Sequence, residues 1–412
     1  MRIAMLAAGS RGDYQPVLAL AAGLRARGHE VGVTASSDYV DDVRGTGFAV
    51  EEVEVEALRI YNEQVAPGMP PTLPGQLDRL GRWAAELAPE VGRTVRGLWP
   101  RYDAVVSTAL TISWAAVLAA VDPRPHVTAL FVPAFPSTWG DASMLSVREG
   151  RSLTNLVAGR HALGPGRSLS TVALQHLGPG LSRAQRLRAV RNLVTTPTFL
   201  AHSPQVIAER RVMGRQIRCT GYPFATLPAG TRLSARTEAF LDAGPAPVYA
   251  GFGSQGSATT RDALRHTVSA ARSLGHRVIV LRGTGLEEQG WGDSVLFVDG
   301  EPHELLLPRA RAAVHHGGAG TTAAVLRSGI PQVVVPFVLD QPFFGRRVRE
   351  IGVAGDPVPV AGATTGRIAA SLRRTEDAGV RRRAAEVGAL VRAEDGVARG
   401  VDLIESTLRR HR

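Results

Sequence analysis

"HHGGAGTTAAVLRSGIPQVVVPFVLDQPFFG", residues 315–345, is the stretch whose reading decides the fold. The preceding "RAAV" (311–314) is short and apolar and reads as a strand that runs into two histidines. A glycine turn follows, then "TTAAVLRSG" as a helix ending in a basic residue and a glycine, then the apolar strand "PQVVV". Strand, turn, helix and strand make a β-α-β unit, which requires a parallel sheet. In such sheets ligands bind where strand C-termini meet helix N-termini, and the glycine turn lies there. Gly317, Gly318 and Gly320 carry no side chain where backbone N–H groups must approach a bulky anion. The helix start adds about half a positive charge, and a histidine adds a donor. Thr321 or Thr322 is expected to cap the helix. The pattern fits a diphosphate cradle, with a tight structural turn around a core histidine as the alternative.

Several other phosphate and metal sites are excluded. No Gly-Lys-Ser/Thr follows the turn, and it is not Gly-x-Gly-x-x-Gly. Adjacent strand residues point to opposite faces, so His315 and His316 do not share a metal ion. No Asp-x-Asp occurs in the chain, which weakens metal-assisted sugar-nucleotide chemistry.

The same alternation repeats on both sides of this stretch. "RIAMLAA" (2–8), the loop 9–15, a helix expected over 16–27 and the strand 30–36 form a first β-α-β unit. Pro16 is placed in the first helical turn. "YDAVVST" (102–108) and "PHVTALFVP" (125–133) read as later strands. Residues 57–98 read as helical but punctuated by "APGMPPTLPG", and so as a mobile loop. The strand-turn signal restarts at "PVYAGFGS" (247–254). The expected organisation is an N-terminal domain over 1–222, a linker over 223–246, a C-terminal domain over 247–394 and a last helix over 395–412.

The bulk numbers agree with two domains. The chain has 412 residues, enough for two units of roughly 200. Its longest apolar runs are far short of the ~20 residues that span a bilayer. The apolar N-terminus is too short for a signal peptide and reads as a first buried strand. A single cysteine, Cys219, rules out an internal disulfide and fits a reducing cytoplasm. The net charge is +11 with no lysine, and residues 141–240 hold 14 Arg against 4 acidic residues. The basic stretch has few aromatics and no nucleic-acid recognition motif, so nucleic acid is not an expected partner. GC-rich codon usage accounts for the arginine bias, with weak attraction to a membrane surface as the second reading.

Read in order, "GSRGDYQPVLALAAGLRARGHEV" (9–31), "CTGYPFATLP" (219–228), "PVYAGFGSQGS" (247–257), "EPHELLLPRARAAVHHGGAGTT" (301–322) and "GIPQVVVPFVLDQPFFGRRV" (329–348) resemble one family across most of the chain. The chain is similar to the inverting, metal-independent nucleotide-sugar glycosyltransferases of GT-B fold, closest to the vancomycin-type antibiotic glycosyltransferases and the sterol glucosyltransferases. The resemblance implies an α/β protein of two Rossmann-like β/α/β domains facing across a cleft. Its implied substrates are a dTDP- or UDP-sugar and a hydrophobic, antibiotic-like acceptor carrying a hydroxyl. No cofactor or metal is implied. A sterol or lipid acceptor is the alternative, and a nucleotide-sugar epimerase or an inactive activator protein are less favoured ones.

Residue by residue, the resemblance makes His316 the pyrophosphate-holding histidine, with Gly318, Gly320 and Thr321 as further donors and His315 packed against the sheet. Asp340 and Gln341 match the pair that binds the sugar hydroxyls. Ser254 and Arg11 are further candidate donor-site contacts, and the segment ending at His303 is expected to meet the base through its backbone. Asp13 matches the catalytic base; by position alone it serves equally as a cap for a helix starting at Pro16. Phe135 and Trp139 are candidates to line the acceptor pocket, with core packing as the alternative. The chain departs from plant-type members at Gly300 and Ala324, which stand where those carry a base-stacking tryptophan and a ribose-binding acid.

Overall fold

The structure is a computed structural model. It describes the chain except residues 10, 67–68, 71, 135–139, 141–142, 145–147, 149–150, 163–171, 208–209, 213–214, 254–257, 283–285, 287, 289 and 411–412. Side chains are further left undescribed at 11, 73–74, 159–162, 210–212 and 215–216. The chain forms two compact units, one of Met1–Thr226 with Asp395–Arg412 and the other of Leu227–Glu394.

In the first unit, strands β1 (Arg2–Leu6), β2 (Glu30–Ser36), β3 (Ala49–Val53), β4 (Ala104–Ser107), β5 (His126–Leu130) and β6 (Thr198–Leu200) form one sheet in the order β3-β2-β1-β4-β5-β6. Every pairing in it is parallel. Alternate side chains of β1 enter different cores. Ile3 and Met5 pack with the helix Arg11–Ala26, while Ala4 and Leu6 pack with the helices Leu73–Leu98 and Ile112–Val121. A short antiparallel hairpin, β7 (Arg210–Val212) and β8 (Arg215–Ile217), follows β6.

The first helix begins at Arg11, five residues before the expected start at Pro16. Pro16 is interior. The one bond it cannot donate would go to the carbonyl of Gly12, an exposed residue that water can serve. Asp13 therefore sits in the first turn and is not the cap of a helix starting at Pro16. The region 57–98 is largely helical. Ala57–Ile60 continues as a wider turn through Tyr61–Val65, and a 26-residue helix runs from Leu73 to Leu98.

The last helix, Gly396–Arg410, packs against the first helix and β5, contributing Val401, Ile404 and Leu408 to the same core as Val17, Leu20 and Leu24. The approach is close. A Cβ on Gly23 would fall 2.7 Å from Val397, and one on Gly400 would fall 2.6 Å from Leu20.

In the second unit, β9 (Val248–Gly251), β10 (Val278–Leu281), β11 (Val295–Val298), β12 (Ala312–His315) and β13 (Gln332–Val334) form an all-parallel sheet in the order β11-β10-β9-β12-β13. Residues 223–246, expected as a linker, divide between the units. From Leu227 onward they belong to the second, where the helix Ala235–Asp242 packs beside β11. Glu301 fastens the start of that helix by accepting from the Ser234 hydroxyl (2.6 Å) and from Thr237.

Both sheets reverse strand order next to their first strand, at β1/β4 and at β9/β12. These are the switch points where an open α/β sheet leaves a crevice at its C-terminal edge.

Candidate functional site

Because the second sheet is all-parallel, each strand ends on the same edge. The segments leaving β9, β11, β12 and β13 bring Gly253, Gly300–His303, His316–Gly318 and Asp340–Gln341 to it. Ser254 lies outside the described residues.

His315 closes β12 and is fully buried. Its Nδ1 accepts the Gly317 N–H (3.1 Å), so its proton is on Nε2 and is donated to Gln332 Oε1 (2.8 Å) on β13. Burial, with His316 nearby, holds its pKa down to about 3. His315 is a neutral strut between strands.

His316 lies in a slot lined by glycines. A Cβ on Gly318 would fall 2.5 Å from its Nε2, and one on Gly253 would fall 3.1 Å from its Cε1. Gly317 has φ +91°, and a Cβ there would meet Val334 at 2.6 Å and the Gln341 carbonyl at 3.1 Å. Part of the residue's surface is open, yet it sits deep enough that burial lowers its pKa to about 4, against the Gly251 carbonyl, which favours the proton. Its Nδ1 is closed off with no hydrogen bond of normal geometry.

The following helix is Ala319–Ser328. Its N-cap is Gly318, with no side-chain cap. This corrects the expected capping by Thr321 or Thr322. Thr322 lies in the helix with its hydroxyl buried and unbonded, and its N–H makes the first intrahelical bond, to the Gly318 carbonyl (2.9 Å). The N–H groups of Ala319, Gly320 and Thr321 precede that bond and have no intrahelical acceptor. The positive end of a helix, with free amides and an imidazole beside it, is chemically suited to an anion.

Asp340 precedes the helix Gln341–Glu350. Gln341 is buried, and its Oε1 accepts from the amides of Phe337 (2.8 Å) and Val338 (3.1 Å). What this carboxamide has left to offer a ligand is its Nε2. Between them, Leu339 holds φ +57°, the one described non-glycine residue with positive φ. That conformation costs roughly 1–2 kcal/mol and turns the chain sharply just before Asp340. Nothing in the sequence marks it.

His303 starts the helix His303–Leu306. Its Nε2 meets the Tyr249 hydroxyl at 2.9 Å, so its ring is tied to β9. Space around Gly300 is open, with no atom within 4 Å of where a Cβ would sit. Ala324 packs against the core cluster that contains Val325.

In the first unit, Asp13 is half-buried and folds back over the loop after β1. A Cβ on Gly9, at φ +117°, would fall 2.4 Å from its Oδ2. Leu110 borders the same point, 3.1 Å from where that Cβ would be. Burial first, and then the charge of Asp13, keep the Tyr222 hydroxyl protonated. Tyr222 stacks edge-on against His202, with centroids 5.8 Å apart. Gly9, Tyr222, Gly253 and Leu339 were not singled out in the sequence. The spacing Gly-x-x-x-Asp after a strand is a signal for Gly9, since a carboxylate at the first helical turn lies over the preceding turn. Phe135 and Trp139 lie outside the described residues, as does the side chain of Arg11; its backbone opens the first helix.

The buried histidines make acid stability testable. His126 bridges Ser107 (2.7 Å) and Thr196 (3.4 Å), and burial lowers its pKa to about 3. For His126, His315 and His316 the folded pKa lies below the unfolded value. Their contribution is therefore complete above about pH 6.5 and is lost as pH falls, down to about 4 for His316 and about 3 for His126 and His315. Each contributes a slope of at most about 1.4 kcal/mol per pH unit. Calorimetric melts should show Tm falling steadily from pH 6.5 to 5, before carboxylates titrate. A flat Tm over that range would contradict the neutral assignment.

Comparison with known proteins assigns the family. The glycosyltransferase family 28 N-terminal domain profile matches residues 3–98, and the C-terminal domain profile of erythromycin biosynthesis protein CIII-like proteins matches residues 265–397. The O-mycaminosyltylonolide 6-deoxyallosyltransferase of Streptomyces fradiae is 33% identical over 98% of this chain and 97% of its own. The sterol 3-beta-glucosyltransferase UGT80A2 of Arabidopsis thaliana is 28% identical over 97% of this chain and 64% of its own. Among solved structures, glycosyltransferase VinC in complex with dTDP superposes with a TM-score of 0.69 at 21% identity, covering 100% of both chains. Two parallel α/β units of this topology share the GT-B fold of that structure. The chain belongs to the glycosyltransferase family that includes the Streptomyces fradiae enzyme.

Proposed function

We propose that the protein is an inverting, metal-independent glycosyltransferase that moves one sugar from a dTDP- or UDP-sugar to a hydroxyl of a hydrophobic, antibiotic-like small molecule. The observation that carries this reading is the His316–Gly318 turn, where the imidazole lies beside Gly318, the N-cap of a helix whose first amides have no intrahelical acceptor. As the anomeric carbon–oxygen bond breaks, negative charge grows on the leaving diphosphate, and these fixed donors stabilise it. Burial lowers the His316 pKa to about 4, so the ring is neutral before an anion arrives and offers it a hydrogen bond. The Asp340 carboxylate and the Gln341 Nε2 are assigned to the sugar hydroxyls, Thr321 and Gly320 to the phosphates, and Arg11 and Ser254 to further donor contacts. Asp13 takes the proton of the acceptor hydroxyl as its oxygen bonds the anomeric carbon from the face opposite the leaving group. One displacement inverts the anomeric configuration. Phe135 and Trp139 are assigned to the acceptor pocket.

The metal-free reading rests on the donors already in place. Likeness to the Streptomyces fradiae enzyme supports a natural-product acceptor, and likeness to UGT80A2 supports a sterol as the second reading. No described helix is long and apolar enough to cross a membrane.

The test is incubation with dTDP- and UDP-sugars, with and without polyketide and sterol aglycones, in the presence and absence of EDTA. A glycoside of inverted configuration, formed equally with chelator, is expected. An epimerised nucleotide sugar, binding without turnover, or activity restored only by magnesium would each overturn the reading.

A further inference from the structure

The helix Arg183–Thr195 has a face that the catalytic reading leaves unused. It is sealed by a capping box, in which the Ser182 hydroxyl accepts from Gln185 N–H and the Gln185 side chain accepts from Ser182 N–H. One side packs inward. Ala189 is buried, and Asn192 Nδ2 donates to the Ala116 carbonyl (3.0 Å) of the neighbouring helix. At 100° per residue, Leu187, Val190 and Val194 fall within one 60° sector on the outer side. They are 64%, 48% and 39% exposed, the arrangement of an apolar ridge rather than of scattered surface residues.

Arginines border that ridge. Arg183 lies at its N-terminal end, Arg186 on one flank and Arg191 on the other, with Arg188 beyond. The helix contains no acidic residue. Arg186 and Arg188 bond only the backbone carbonyls of Leu181 and Ala120, and among the described residues no carboxylate pairs with any of the four. They belong to the stretch 141–240 that holds 14 Arg against 4 acidic residues. The ridge is convex and has no aromatic side chain, unlike the anchor of a specific protein interface. Aliphatic side chains flanked by unpaired guanidinium groups match a surface that is apolar beneath and anionic above.

We propose that the outer face of helix Arg183–Thr195 is a contact surface for an anionic phospholipid bilayer, with Leu187, Val190 and Val194 entering the headgroup boundary and Arg183, Arg186 and Arg191 meeting the phosphates. The contact is peripheral and reversible, since three aliphatic side chains and a few arginines fall far short of an inserted helix.

Co-sedimentation of the full chain with phosphatidylcholine vesicles, with and without phosphatidylglycerol, tests it. Binding is expected on the anionic vesicles alone and should weaken with salt. Arg183→Gln with Arg191→Gln should lower partitioning by about fivefold per arginine. Leu187→Ser with Val190→Ser should lower it by roughly tenfold. All four positions are exposed, so circular dichroism melts of the variants should match wild type and separate lost binding from lost fold. Absence of binding, equal binding to both vesicles, or binding that neither pair of substitutions weakens overturns the proposal. So does binding that tolerates the serine pair and is matched on heparin beads, which would assign the face to an acidic macromolecule.

Discussion

Asp13→Asn is expected to slow sugar transfer by about 10²–10⁴-fold, the usual contribution of a positioned general base, while leaving donor binding unchanged. Asparagine has the size of aspartate, so it still fits over Gly9, where a Cβ would stand 2.4 Å from the present Oδ2. What it loses is the ability to take a proton. Asp13 also lies in the first turn of the helix Arg11–Ala26, where a carboxylate stabilises the dipole by about 0.3–1 kcal/mol. The two roles separate cleanly. A dipole role predicts a slightly lower Tm and near-normal turnover; the base role predicts a large fall in turnover at a Tm shifted little. Steady-state rates at saturating donor, with titration calorimetry for nucleotide binding, measure both. Full turnover by Asp13→Asn would remove the base assignment.

The second large effect is on donor affinity. In the proposed function His316→Ala removes a hydrogen bond to a charged phosphate, worth about 1.5–3 kcal/mol, so nucleoside diphosphate binding should weaken roughly 10–150-fold. Gly318→Ala tests the same slot from the other side. A methyl group 2.5 Å from Nε2 forces the ring out of place while leaving the imidazole in the chain. It should weaken binding comparably, with the histidine intact. If Gly318→Ala bound nucleotide normally, the ring's clamped position would be irrelevant to the donor. If His316→Ala did so, the turn would be a structural one.

Much of this was readable from residue order. The alternation of apolar strands with amphipathic helices requires parallel sheets, and parallel sheets place every strand's exit on one edge. That is why His316, Asp340 and His303, far apart in the chain, were expected together. The glycines around His316 were legible for a similar reason, because few other demands put three in one turn. Helix starts were less legible. Pro16 suggested the beginning of the first helix, but a proline is tolerated inside when the carbonyl it leaves unbonded faces water. The threonines suggested a cap, but Gly318 begins the helix because only a residue without Cβ fits beside His316.

The sequence by itself determined the two α/β units, the edge on which the site lies and the residue types that gather there. Local pattern suffices for these, since burial periodicity and glycine placement are properties of neighbours along the chain. Only the tertiary structure decided which nitrogen of His315 carries the proton, that the Gln341 oxygen is already committed to Phe337 and Val338, that Leu339 is held at positive φ, and that Asp13 lies over Gly9. Each of these depends on a partner brought close by folding, and hydrogen bonds and steric contacts act over a few ångströms, a range the order of residues does not encode.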